Sequence, residues 1–454
     1  MGDGRIGTSR HGSRLARTPR AREGVVKLGT MGLAVGAAVL LLLAPLTPAA
    51  AQAPAPNPVF AKAVWVAVSE GVLKLLAADG SLLLEISGLK RVQAVAIDSQ
   101  RATLWVVAGD NLLSYAFDGT SQLAIGLPHG GGGRALLAVN ATDASLWLAR
   151  DETLRSFSAA GQALQVVHLH GDVLGLSIDP GAALLWVATA SSVTAHDAVA
   201  GQVVRTLALG RDADVRDVSA DPATQSVWVA RQDGVLRFAA DGTLLLTAVP
   251  RLPVRVAADS NGGAWAATKM NLVHLDGTGQ VLGAVAPFTK GGGISQLVAD
   301  PTDGAAWAAT EHEVAHAGSG GQLLRVVDFQ PPADIQGLAL YADLIPPQLQ
   351  IALPAAGSYV NRPTPTLQVT YSDLGSGIDA TSLAFAVSGS ALAASCTYGG
   401  SGATCTPGTP LPEGTITLTA TVKDFGGGGR RCCSRPGRPR GSCFPAARPR
   451  RCRP

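Results

Sequence analysis

Cysteine is missing from the first 395 residues of this 454-residue chain. All six cysteines lie from Cys396 onward, and four of them (Cys432, Cys433, Cys443 and Cys452) fall in the last 23 residues. The long first part therefore has no disulfide and no thiolate metal site, which suits a chain exported to an oxidising compartment. Long apolar runs are nearly absent too. The exception is Leu28 to Ala61, which carries no charge and contains Met31–Leu46, MGLAVGAAVLLLLAPL. Basic residues precede this run and Ala49 and Ala51 form a small-residue cleavage site after it, so residues 1–51 read as a secretory signal peptide. Once the signal is removed, no membrane span is expected. Beyond it no stretch holds a 3.6-residue apolar period for three turns, so helices are not expected either. A basic body is also lacking: residues 52–425 carry 20 Lys/Arg against 31 Asp/Glu, a net of −11. That argues against nucleic acid as a partner of the folded part.

Tryptophan, in contrast, is patterned. All seven stand in one phrase: AVWVA at Trp65, TLWVV at Trp105, SLWLA at Trp147, LLWVA at Trp186, SVWVA at Trp228, GAWAA at Trp265 and AAWAA at Trp307. Spacings of 40, 42, 39, 42, 37 and 42 residues mark one supersecondary unit repeated. The second copy reads VQAVAID, TLWVVA, LLSYAF and SQLAIGL, four short strands separated by turn residues. Four strands in about 40 residues is the pattern of a β-propeller blade. An apolar run ending in Asp or Asn precedes each phrase but the first, at Asp98, Asn140, Asp179, Asp221, Asp259 and Asp300; a seventh run, Gly337–Asp343, has no Trp after it, and Trp65 has no such run before it. Ring closure accounts for this, with Gly337–Asp343 joining the blade built from residues 62–88. The expected fold is all-β, a seven-bladed propeller over residues 62–343 with shared-strand closure, after a linker at 52–61.

The recurring phrase, an apolar run to Asp followed by an LWVA strand, resembles the NHL-like repeats of bacterial propellers. It lacks the Gly-His and Trp-Asp pairs of WD40 blades. This resemblance implies architecture and is nearly silent on activity. From 344 to 425 the style changes to Pro-bounded alternating strands. Pro346-Pro347, the stretch from Tyr371 to Asp379 and the final TLTATVKD resemble a bacterial Ig-like domain, with the last strand missing. Signal, propeller and Ig-like module in this order are similar to the N-terminal parts of large exported proteins, including those with RHS/YD repeats. Residues 426–454 hold only Gly, Arg, Pro, Cys, Ser, Ala and one Phe. They are expected to be a disordered tail that derives from a shifted reading frame, the alternative being a basic tail for anionic polymers.

Candidate sites are few. His312-Glu313-Val314-Ala315-His316 matches HExxH, but it falls on the third strand of a blade. Residues i and i+4 of a strand lie about 13 Å apart, too far for one zinc ion. The connections that lead into each first strand are more promising. They gather His129 and Arg134, then His168, His170 and Asp172, then Arg211 and Asp214, then Arg251 and Arg255, then Lys290, all toward one face. Polar Gly-rich loops at one end of a ring make a plausible ligand face. The plainer reading is that such connections are simply polar. The recurrent Asp is expected to bond its own turn, and the tryptophans to be inter-blade core. Cys396 and Cys405 flank an eight-residue hairpin and are expected to pair. Asp373 and Asp379 could meet calcium, but two acids are too few, and no metal or cofactor is assigned.

These observations lead to a secreted, periplasmic or surface protein of bacterial type, a non-catalytic propeller head that binds a protein or glycan, with an Ig-like spacer, as the front of a larger protein. The alternative is a propeller enzyme, lyase- or hydrolase-like, working near His168 and His170. Among rings of this repeat length the streptogramin lyases are the resemblance to weigh.

Overall fold

The computed structural model describes residues 62–128, 134–210, 213–248, 252–290, 292–329, 333–343, 346–373, 376–425, 429–434 and 442–445. The expected signal and linker lie outside them. The described residues form strands and turns, with no helix, and thus none long and apolar enough to cross a membrane.

Up to residue 343 the chain forms seven four-stranded antiparallel sheets. The second to seventh each take four consecutive strands. Their leading strands are Val92–Asp98, Ala135–Val139, Val173–Asp179, Val215–Asp221, Arg255–Ala258 and Gln296–Ala299. The first sheet combines Val64–Val68, Val72–Leu76 and Leu82–Ile86 with a leading strand from the far end, Ile335–Leu340. Short apolar runs form these strands because turn chemistry stops each one. The Asp or Asn that ends the leading run accepts backbone N–H groups two residues on. Examples are Asp98 from Gln100 at 3.0 Å, Asp179 from Gly181 at 2.9 Å, Asp259 from Asn261 at 2.8 Å and Asp300 from Thr302 at 2.8 Å. The recurrent acid is a turn former.

The leading strands contact one another in sequence, and the circuit returns from the seventh sheet to the first. Neighbouring sheets share apolar cores in which every Trp is at most 2% exposed. Trp186 and Val193 meet Val215 and Phe238 between the fourth and fifth sheets. Trp307, Ala309 and Val314 meet Val64, Val66 and Leu76 between the seventh and first. The turn before each fourth strand presses on the outer strand of the preceding sheet. At Gly161 (φ +78°) a Cβ would approach Ile125 Cδ1 to 2.2 Å, and at Gly80 (φ +83°) it would approach Val327 to 2.7 Å. Both positions need glycine for φ and for space. The Gly80 contact joins the first sheet to the seventh, as does the ion pair of Lys62 with Asp303 at 2.5 Å.

Register corrects one expectation. Each Trp stands opposite the residue two before the turn Asp or Asn: Trp105 faces Ala96 and Trp228 faces Ser219. Trp65 faces Ala339, so Tyr341 and not Asp343 occupies the repeat's acidic position. The shared strand ends at Leu340, three residues earlier than expected, and the repeat's acidic position moves by two. Tyr341 enters the core between the first two sheets, its ring 4.4 Å from that of Phe117.

After residue 345 two further sheets share one core. One orders Gln348–Leu353, Leu367–Ser372, Gly402–Pro407 and Ala394–Gly399. The other orders Ser390–Leu392, Ile378–Val387, Leu418–Asp424, Gly429–Ser434 and Ser442–Pro445. Leu349, Val369, Tyr371, Phe385, Ala420 and Val422 fill the space between them. The last two strands lie in the stretch expected to be disordered. Gly429–Ser434 pairs with Leu418–Asp424 in continuous register. An open sheet edge offers backbone partners to whatever chain follows it, whatever its side chains. Cys396 and Cys405 stand opposite each other and are joined by a disulfide, Cα–Cα 4.1 Å.

Candidate functional site

The HExxH residues are placed apart by the strand Glu313–Ala317. Glu313 is buried and its carboxylate accepts the N–H groups of Thr289 and Lys290 and the Thr289 hydroxyl, at 3.1, 3.2 and 3.2 Å. It fixes a loop. His316 stacks on Trp307 with centroids 4.2 Å apart, and its Nδ1 lies 3.0 Å from the Ala78 carbonyl. The His316 pKa is lowered, first by burial, while the Ala78 bond opposes the shift. His274 stacks on Trp265 in the same way and bonds Asp259 at 2.9 Å.

Of the expected ligand face, His129, Arg211 and Arg251 lie outside the described residues. His168, His170 and Asp172 are exposed, and among the described residues no hydrogen bond joins them to one another. Asp214 pairs with Arg216 at 2.9 Å, and Lys290 pairs with Asp328. Arg134 is placed differently, at the start of a leading strand.

The leading strands are tied together by polar side chains spaced about one repeat apart. Arg134 Nη1 donates to the Leu174 carbonyl at 3.3 Å. Ser177 Oγ accepts from Ala220 N at 2.9 Å, and Ser219 Oγ accepts from Ala258 N at 3.0 Å. Arg255 Nε donates to Ser295 O at 2.7 Å, and Gln296 Nε2 to Gln336 O at 3.0 Å. These bonds satisfy leading-strand backbone groups that no strand pairing reaches. The bonds of Arg134, Arg255 and Gln296 sit near the ends where the leading strands begin, and the two serine bonds near the ends where they finish.

Asp217 holds the centre of this set. Oδ1 accepts from Val218 N at 3.0 Å and Oδ2 from Val256 N at 3.1 Å. Burial raises its pKa, against the charges of Arg255 and Arg134 and those two N–H groups. The Arg134 pKa is lowered to about 10, first by burial and then by the like charge of Arg255, with Asp217 opposing. Arg134 belongs to the third sheet, Asp217 to the fifth and Arg255 to the sixth. Sheets three and five are not consecutive, so the charges of Arg134 and Asp217 act on each other between leading strands that are not neighbours in the circuit. Arg134 is exposed to water and Arg255 and Asp217 partly so, yet protein crowds them. Arg255 stands among the loop candidates of the sequence, but Asp217 does not. Aligning the leading strands on their terminal acid would have found Asp217 and set Arg255 at the same position, since both stand four residues before the acid, where Ala94, Leu136 and Gly175 stand in other copies.

A second convergence lies past the shared strand. Asp343, Asp373 and Asp424 are each buried, and a carboxylate oxygen from each lies within 4.8 Å of the others. Three such oxygens are the donor type that hard cations take. Asp343 Oδ2 accepts Ser376 N at 2.5 Å, and Asp373 Oδ2 accepts Gly377 N at 2.8 Å. Burial and the three carboxylates raise the pKa of the neighbouring Tyr341. Asp379, paired with Asp373 in the sequence reading, lies elsewhere and bonds Thr381.

No family model and no curated protein matches the chain. Solved structures do resemble it. One is a functionally unknown protein from Desulfotomaculum acetoxidans DSM 771, 14% identical, with a TM-score of 0.52, covering 62% of this chain and 98% of that one. Another is U3-55K, 15% identical, with a TM-score of 0.48, covering 56% of this chain and 86% of that one. At such identity the first likeness is one of fold alone.

Proposed function

We propose that residues 62–343 are a seven-bladed β-propeller of NHL-like repeats, closed by the strand Ile335–Leu340, and that the sheets after it are an Ig-like module. On this reading the chain is an exported, non-catalytic binding or scaffold protein of bacterial type, the front part of a larger surface protein. The blades hold an axial space, and the ligand enters at the end where the leading strands begin. One observation carries the binding reading: Arg134, Asp217 and Arg255 converge from three separate sheets while remaining open to water. Charged groups kept in such a place serve recognition better than packing. The signal-like segment, the cysteine-free repeats and the disulfide between Cys396 and Cys405 favour export.

The test is ligand-observed NMR with a mixed set of small molecules and oligosaccharides, on the natural chain and on Gln296→Trp, which puts an indole on a leading strand. Binding that the variant abolishes supports the proposal. Ligands indifferent to the variant, or a bound compound that is turned over, contradict it.

A further inference from the structure

We infer that the axial space selects a small oxyanion, the carboxylate or phosphate group of a soluble ligand, through Arg134 and Arg255. The inference rests on the axial binding reading above and adds the chemistry of the ligand.

The two guanidiniums are held but not consumed. Arg134 donates one hydrogen bond, from Nη1 to Leu174 O. Arg255 donates two, from Nε to Ser295 O at 2.7 Å and from Nη1 to Val254 O at 2.7 Å. A guanidinium has five N–H donors in a fixed fork. Among the described residues neither has a carboxylate within ion-pair distance, Asp217 included. Each therefore keeps donors for an incoming acceptor, and the bonds already made fix where those donors point. Arginine forks match the two-oxygen edge of carboxylate and phosphate groups.

Charge balance points the same way. Two cations face one anion, so the locus is net positive inside a body of net charge −11. Asp217 does not neutralise it by contact. Its oxygens accept the N–H groups of Val218 and Val256, which ties it to the strand edges and leaves it a neighbour of the cations. The crowding that lowers the Arg134 pKa also strengthens any attraction to an anion in the same place. Cations, and neutral molecules without acceptor pairs, gain nothing from this arrangement.

The experiment is isothermal titration at low ionic strength with sodium acetate, inorganic phosphate and the uncharged acetamide. The proteins are the natural chain, the double variant Arg134→Gln/Arg255→Gln, Asp217→Asn and Gln296→Trp, each first shown to be folded by its melting transition. The expected result is saturable binding of acetate or phosphate but not acetamide, weakened by salt. It should fall at least tenfold in the double variant, be lost in Gln296→Trp, and tighten severalfold in Asp217→Asn. The relative strength of the acetate and phosphate arms says which oxyanion the site prefers. Oxyanion binding unchanged in the folded double variant, or no oxyanion binding to the natural chain, overturns the inference. If acetamide or another neutral probe still binds the natural chain and Gln296→Trp removes it, the axial reading survives and only the oxyanion assignment fails. If no probe responds to Gln296→Trp, both fail.

Discussion

The seven-sheet region and the two sheets after it solve burial differently. In the first, each sheet is too thin to have an interior, and its core lies between it and its neighbours, so stability depends on an uninterrupted circuit. Nothing covalent helps: there is no cysteine before Cys396. In the second, two sheets enclose one core, and a disulfide ties one hairpin. The polar chemistry divides likewise. In the repeats it arises where one copy departs from the others at a fixed register. In the later sheets it arises from Asp343, Asp373 and Asp424, which no spacing rule connects.

The largest effect that could break this comparison is truncation of one repeat tryptophan. Trp228→Ala should cost about 3–5 kcal/mol by urea unfolding, because the indole is fully buried. The loss should spread to all seven sheets in hydrogen exchange while the later sheets keep their protection. Next comes Cys396→Ser/Cys405→Ser, expected to cost ~2–3 kcal/mol and to act only on the later sheets. Loss of protection in the repeats would show that the two regions are not energetically separate.

Acid should act on the repeats through histidine. The pKa values of His196 and His316 are both lowered, first by burial. Their unfolded forms take up protons from about pH 6.5 downward while the folded forms stay neutral. Stability is therefore unaffected above that pH and falls as pH drops toward the folded values, by up to about 1.4 kcal/mol per pH unit for each histidine. His196→Gln and His316→Gln should flatten a melting-temperature profile between pH 6.5 and 5. A profile equally steep in the double variant would remove histidine from the explanation. The smallest effect belongs to Lys62→Ala. The ion pair with Asp303 is partly exposed on both sides, and losing it should change unfolding free energy by under about 1 kcal/mol.

Repetition explains what could be read in advance. Seven copies of one phrase fix strand number, turn positions and the pairing of a late strand with the first sheet, because local signals agree each time. Register inside the last copy was harder. GLALYAD ends in Asp343 and imitates the other copies, but Trp65 pairs with Ala339 and leaves Asp343 outside the pattern. Asp217 was readable only by comparing copies position by position, which shows charge where Ala, Leu or Gly usually stands and sets Arg255, a loop candidate in the sequence, at the same strand position. The three-aspartate cluster was not readable, since its members are 30 and 51 residues apart, at or just past the ends of strands of unrelated sequence. The strand Gly429–Ser434 was hidden by its composition, because a strand added to an open sheet edge is recruited through its backbone.

The central claim is that the seven sheets close on themselves, since an enclosed binding space exists only if they do. Zero-length carbodiimide coupling followed by peptide mass spectrometry tests it directly, because Lys62 and Asp303 are 241 residues apart in sequence and 2.5 Å apart in space. Closure predicts a Lys62–Asp303 crosslink within single chains, alongside the local control pair Lys74–Glu85 at 3.7 Å. Coupling of Lys74 to Glu85 with Asp303 unmodified by Lys62 would mean an open array, and the axial site would fall with it.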